Sequence, residues 1–431
     1  MSQALLDPDP VASPCSKDAG KPDWLRARQQ QAAAAFETTR PPTLQDEAWR
    51  YGAPKALDFS ACTPADPMDP LSASLAREHS RRPTPQSGHL LFANDRVLEH
   101  SLPAQAGAVF LPLSESLKSH GEIIREHLMQ NPLTTGSQKF ALLHLASLRD
   151  GAFLYLPKGC RIKEPLHIFH WIAGAAQILF PHTLIIADEG SSATVVDWYA
   201  SADDGRHMAC AMSDLWIKKG ASLEYLTVQQ WNRQTTSVHS CSTHVGEDAS
   251  ALALGLHLGG GYSRSEHTSR LTARRARSEM YALTVADEKQ HFDQRTLQDH
   301  ASPDTYSNLL FKNALYDSSK TTFSGLIRVD EHSHRTDAYQ KVRNLLLSEE
   351  AEANSLPGLE ILADQVRCSH GATTGEINLD ELFYLRSRGI PEKAAMNLIT
   401  QGFLDEVLQK VTDAAVRDTL TSLLHARLGS H

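Results

Sequence analysis

Leu252, Leu254, Leu256 and Leu258, in the run ALALGLHL, stand at every second position, the spacing of side chains that share one face of a strand. Similar short runs surround them: HTLIIA, ATVVDWYA and SLEYLTVQQW before, then YALTVADE, HFDQRTL and TTFSGLIRV, which carry the extended pattern to about residue 370. Turn-like segments punctuate the earlier runs: Lys158-Gly159-Cys160-Arg161-Ile162, Glu189-Gly190-Ser191-Ser192-Ala193, Lys219-Gly220-Ala221-Ser222-Leu223 and Glu247-Asp248-Ala249-Ser250-Ala251. Their Gly or Asp positions, 159, 190, 220 and 248, are 31, 30 and 28 residues apart. A repeat of that length, built from short strands and tight turns without a helix of useful length, predicts a mainly β fold. A stacked parallel β-helix fits it best. An antiparallel sandwich, whose strands also fall at regular intervals, is the alternative.

The pattern changes on both sides of this core. Residues 1–21 are rich in Pro, Asp, Ser and Ala, the composition of a disordered arm. Pro22-Asp23 then opens WLRARQQQAAAAFETTR, a helix of strong formers stopped by Pro41-Pro42. Helical and mixed structure is expected over residues 22–145, with the Pro- and Ser-rich stretch around 60–90 read as surface loops. The β-helix is expected over 146–376 and a helical unit over 377–431. In that unit Asn378-Leu379-Asp380 precedes ELFYLRSR, Gly389 suits the C′ position, and Pro391 suits N1 of the next helix. Ala395, Leu398, Ile399, Phe403, Val407, Leu408 and Val411 are expected to form its apolar face. A last helix is expected over roughly Thr412 to Leu428.

Composition narrows the function. The 431 residues are 41% hydrophobic and 22% charged, ordinary globular usage, with no apolar run of membrane-spanning length. The first residues lack a basic segment followed by an apolar one, so a cytoplasmic location is expected. A net charge of −9 argues against nucleic acid as the partner, and the basic stretch Arg270 to Arg277 reads as a solvated strand face. Six cysteines are scattered singly, with no CxxC pair for a structural zinc site. There is no phosphate loop, HExxH pair or GxSxG elbow, and Gly259-Gly260-Gly261 opens no predicted helix, so no enzyme activity is expected.

One constellation remains, Cys368-Ser369-His370 in LEILADQVRCSHGATTG. On a strand, Cys368 and His370 share a face, with Cα atoms roughly 6.5 to 7 Å apart. A thiolate and an imidazole at that spacing suit iron–sulfur chemistry, but such clusters take four ligands, so two imply a transient site shared with another chain. The alternative is a buried Cys beside a hydrogen-bonded His.

From DAYQKVRNLLLSEEAEANSLPGLEILADQVRCSHGATTGEINLDELFYLRSRGIP, and upstream through HFDQRTLQDHASPDTYSNLLFKNALYDSSKTTFSGLIRV, the sequence resembles the SufB/SufD family of the SUF iron–sulfur cluster assembly system. DEAWRYGAP at 46–54 is similar to the family's Trp-Lys-Tyr element, with Arg50 in place of Lys. SufB chains carry a Glu directly after the His, implicated in cluster formation, where this chain has Gly371. The resemblance therefore implies the other half of the pair. It implies a right-handed parallel β-helix between helical ends, a heterodimer with SufB through the β-helix, and a SufC ATPase docked on the C-terminal helices. It also implies a transient iron–sulfur cluster at the SufB interface, where His370 and Cys368 would act as metal ligands, a role in iron homeostasis, and reduced flavin as a possible electron donor to the complex. A homodimer in isolation is a further expectation; nucleic acid and membrane partners are not. Two rival readings are a β-helix polysaccharide lyase or hydrolase, and a purely structural partner that supplies no ligand.

Overall fold

At each corner along one edge of the central solenoid one residue takes a left-handed backbone: Gly159, Gly190, Gly220, Asp248, Arg275, Asp304, Arg335 and Gln365, with φ from 56° to 72°. The first four are the turns legible in the sequence. The other four keep the period but carry side chains, three of them long, so the glycine signature stops while the repeat continues. Each corner joins a strand of one parallel sheet to a strand of a second, giving about eight coils. The computed structural model describes residues 20–59, 62–81, 86–101, 107–131 and 134–429. The expected disordered arm therefore lies almost wholly outside the described residues.

The two ends of the solenoid differ. At the start, the hairpin Gly88–Ala93 with Arg96–Ser101 and the strand Val109–Pro112 close the sheets by antiparallel pairing. At the other end the sheets stop on Glu352–Ile361 and Arg367–Glu376, each paired on one edge only among the described residues. The stretch around 60–90, expected to be surface loops, includes the helix Pro70–Ser80, which buries Ala73 and Ala76, and the start of the buried strand Gly88–Ala93. Asp69 caps that helix by accepting from the N–H groups of Leu71 and Ser72, a signal masked in the sequence by the flanking prolines.

The alternating leucines point outward. Leu254, Leu256 and Leu258 pack beneath Leu404, Val407, Leu408 and Leu420 of the C-terminal helices, while Ala251 and Ala253 between them face the lumen. Three helices make up the C-terminal unit: Leu379–Ser387, Glu392–Leu408 and Ala414–Gly429. Asn378 caps the first, accepting from the N–H groups of Asp380 and Glu381, and Gly389 follows its end at φ 85°. Pro391 is the N-cap of the second helix rather than its first residue. The buried face of that helix is Ala395, Thr400, Leu404, Val407 and Leu408; Leu398, expected to belong to it, is exposed. Lys312 on the solenoid fixes the helix by donating to the Phe403 carbonyl at 2.5 Å and pairing with Glu406 at 2.5 Å, and Arg427 fixes the last helix through Asp287 at 2.8 Å.

The N-terminal region is latched to the first sheet by the DEAWRYGAP segment. Trp49 is buried with its indole N–H on the Gly136 carbonyl, and the guanidinium of Arg264 stacks 3.7 Å from the ring centroid. The carbonyls of Ala48, Arg50 and Tyr51 accept from Arg264, Arg295 and Thr322 of the solenoid. The Arg50 side chain is exposed. The basic stretch is mostly a corner rather than a strand face: Arg274 pairs with Asp304, Arg275 with Asp248, Arg270 with Asp299 and Arg277 with Glu279.

Candidate functional site

Cys368 and His370 lie on the strand Arg367–Glu376, the last of its sheet. Their Cα partners on the preceding coil are Ala338 and Gln340, both fully buried in the lumen. In-register parallel strands turn paired side chains to the same face. Cys368 and His370 therefore both face the lumen side, at its mouth. Cys368 is half-buried against Ile327, Val329 and Ala338, and its thiol is pushed up, first by burial and then by the Asp337 carboxylate. Iron binding would have to displace that proton. His370, with no coil beyond it, is exposed.

The facing strand completes the mouth. Leu359 and Ile361 pair with the buried Ile327 and Val329, so they too are lumen positions, yet they are 37% and 38% exposed. Leu362 beside them is 59% exposed. Sequence periodicity gave no sign of this, because alternation marks a core face whether or not a further coil covers it. Gly371, the residue after His370, faces outward, and a Cβ built there meets nothing within 4 Å. Glycine is thus not a steric requirement at 371; what the chain lacks there is a carboxylate.

Among the described residues no group of three or more His, Cys, Asp or Glu is arranged to hold a metal ion, and the five described cysteines are free. Cys368 and His370 are two donors at an open end, fewer than the four ligands that an iron–sulfur cluster takes. A second exposed apolar surface lies on the helix Leu379–Ser387, where Leu379 is 76%, Phe383 73% and Tyr384 56% exposed and no residue is buried.

Over residues 170–403 the chain matches the family described as "SUF system FeS cluster assembly, SufBD core domain". It is similar to the iron–sulfur cluster assembly protein SufD of Escherichia coli (strain K12), 28% identical over 323 residues, which span 73% of this chain and 76% of the relative. It is similar to the SufD of Bacillus subtilis (strain 168) at 27% over 325 residues, 75% of this chain and 74% of the relative. The SufB of Bacillus subtilis (strain 168) is 27% identical over 309 residues, 72% of this chain and 66% of the relative. Identity alone does not separate the two kinds of relative.

Proposed function

Because this chain belongs to the SufB/SufD family of the SUF iron–sulfur cluster assembly system, we propose that it is the SufD-type member, a non-catalytic scaffold that pairs with a SufB chain and a SufC ATPase. The observation that carries this reading is the open end of the solenoid. Two unpaired strand edges, exposed lumen leucine and isoleucine, and the Cys368 and His370 side chains stand there together. Folded proteins normally cover or charge such edges, so an uncovered one reads as a surface awaiting a strand partner. Gly371 supports the SufD-type assignment, since the chain offers no carboxylate after the histidine.

In this reading SufB stacks on the strands Glu352–Ile361 and Arg367–Glu376 and completes the ligand set for a cluster that is cargo, built at the seam and passed on. The same edge would let the chain self-associate when SufB is absent. SufC docks on the exposed face of Leu379–Ser387, and the clamped helices behind it pass ATP-driven movement into the solenoid. Among the described residues no helix is long and apolar enough to cross a membrane, and we place the complex in the cytoplasm. The family match replaces the carbohydrate-active reading.

Co-expression with SufB- and SufC-type partners, purification of the complex and its visible absorbance test the proposal. We expect a stable complex with cluster absorbance that falls severalfold in His370→Ala, and less in Cys368→Ala. Failure of the three chains to associate would refute the assignment. Full cluster loading in both variants would leave a structural partner that supplies no ligand.

A further inference from the structure

Gln340 is fully buried, and neither its amide nitrogen nor its carbonyl oxygen has a hydrogen-bond partner. A buried primary amide with both ends unsatisfied bears a full desolvation penalty and calls for an explanation. Its position supplies one. Gln340 stands one rung behind His370 in the ladder that pairs Asp337–Leu346 with Arg367–Glu376, and both side chains leave the sheet toward the lumen. Ala338 and Val342 flank it with apolar surface.

The facing sheet keeps the amide in place. A Cβ at Gly325 would lie 2.5 Å from Gln340 Nε2, 2.5 Å from Phe323 Cζ and 2.6 Å from Thr296 Oγ1, so the amide packs where only glycine leaves room. Thr296 Oγ1 and Gln298 Oε1, both buried on that sheet, are also unpartnered. Immediately behind the mouth the lumen therefore holds, among apolar neighbours, close-packed polar groups that the chain by itself leaves unsatisfied.

We infer that Gln340 is a positioning residue for His370: its carbonyl accepts the N–H of one ring nitrogen when a partner covers the open end, leaving the other nitrogen's lone pair for iron. Histidine ligands commonly donate their second ring nitrogen to a carbonyl or carboxylate, which fixes the tautomer and the ring orientation. Gln340 carries such an acceptor, already desolvated, on the rung directly behind the histidine. The inference rests on the reading of the open end as an assembly seam.

Gln340→Leu, Gln340→Glu and His370→Ala, each in the complex with SufB- and SufC-type partners, separate the possibilities. Gln340→Leu removes an unpartnered amide while keeping the shape, so the chain should denature at the same or a higher midpoint and the complex should copurify normally. Its cluster absorbance should nevertheless fall severalfold, toward the His370→Ala level. Gln340→Glu, protonated when buried, keeps an acceptor in the same place and should restore most of the loading. With 15N-labelled histidine in the cluster-free complex, His370 should show one ring tautomer in the native chain and a mixture in Gln340→Leu.

Full loading in Gln340→Leu with poor loading in His370→Ala would overturn the inference and leave the seam intact. Full loading in His370→Ala would overturn the reading beneath it. An unchanged tautomer, or a lowered denaturation midpoint for Gln340→Leu, would also overturn the inference, since the amide would then act elsewhere.

Discussion

Arg264 concentrates the attachment of the N-terminal region in one buried side chain. It donates to Glu266 at 2.7 Å, to Asp293 at 2.6 Å and to the carbonyls of Ala48 and Thr135, while its face covers Trp49. Arg264→Met would leave the buried Glu266 without a cation and Asp293 with Arg295 alone, so denaturant unfolding should show a loss of about 3–5 kcal/mol. The corners make a smaller, repeated contribution. Gly190→Val, which forces a β-branched residue into the left-handed region, should cost about 1–2 kcal/mol. The sequence showed the corners at 159, 190, 220 and 248, but not those at 275, 304, 335 and 365. There Arg, Asp and Gln hold the same backbone, helped in part by ion pairs such as Arg275 with Asp248 and Arg335 with Asp304. The site was half legible in the same way. Spacing put Cys368 and His370 on one face, whereas Gln340 becomes their neighbour only when the coils are stacked in register, 30 residues apart.

Among the elements, the C-terminal helices divide into two kinds. Glu392–Leu408 and Ala414–Gly429 are clamped to the solenoid by Lys312 with Glu406 and by Arg427 with Asp287, whereas Leu379–Ser387 buries nothing. The double substitution Leu379→Ser and Phe383→Ser should therefore leave stability within about 0.5 kcal/mol. It should also abolish retention of a SufC-type ATPase in a pull-down; retention at the native level would remove that helix from the docking surface. Periodicity located these helices but misassigned one face. Leu398 fits the apolar stripe by spacing, yet it is exposed, and Thr400 is buried instead. The alternating leucines read as one face of a strand, and the structure turns that face outward to meet the helices.

At the scale of the whole molecule, the buried ionisable groups set how stability depends on pH. Burial pushes His144, His257 and His267 down to about 4 and His170, His239 and His300 down to about 3. Unfolded, these imidazoles take up protons near pH 6.5, so acidification from there toward pH 4 favours the unfolded chain. Burial acts oppositely on Asp95, Asp197 and Asp214, raising them to about 7, 6 and 7. The native chain binds those protons first as pH falls from 7 toward 4, which favours folding over that window. Burial also lowers His127, His182, His244 and His291 and raises Asp150 and Asp299, so ten imidazoles oppose five carboxyls, and thermal melts should show stability declining below about pH 6.5.

The same scale holds the central claim, that the uncapped end of the solenoid is the seam on which a SufB-type chain builds the cluster. Hydrogen–deuterium exchange of the strands Glu352–Ile361 and Arg367–Glu376, compared between the free chain and its complex with the SufB-type partner, reads that seam directly. Slowed exchange confined to these two strands and their corner is the expected result. Unchanged exchange there, with protection appearing elsewhere on the chain, would contradict it.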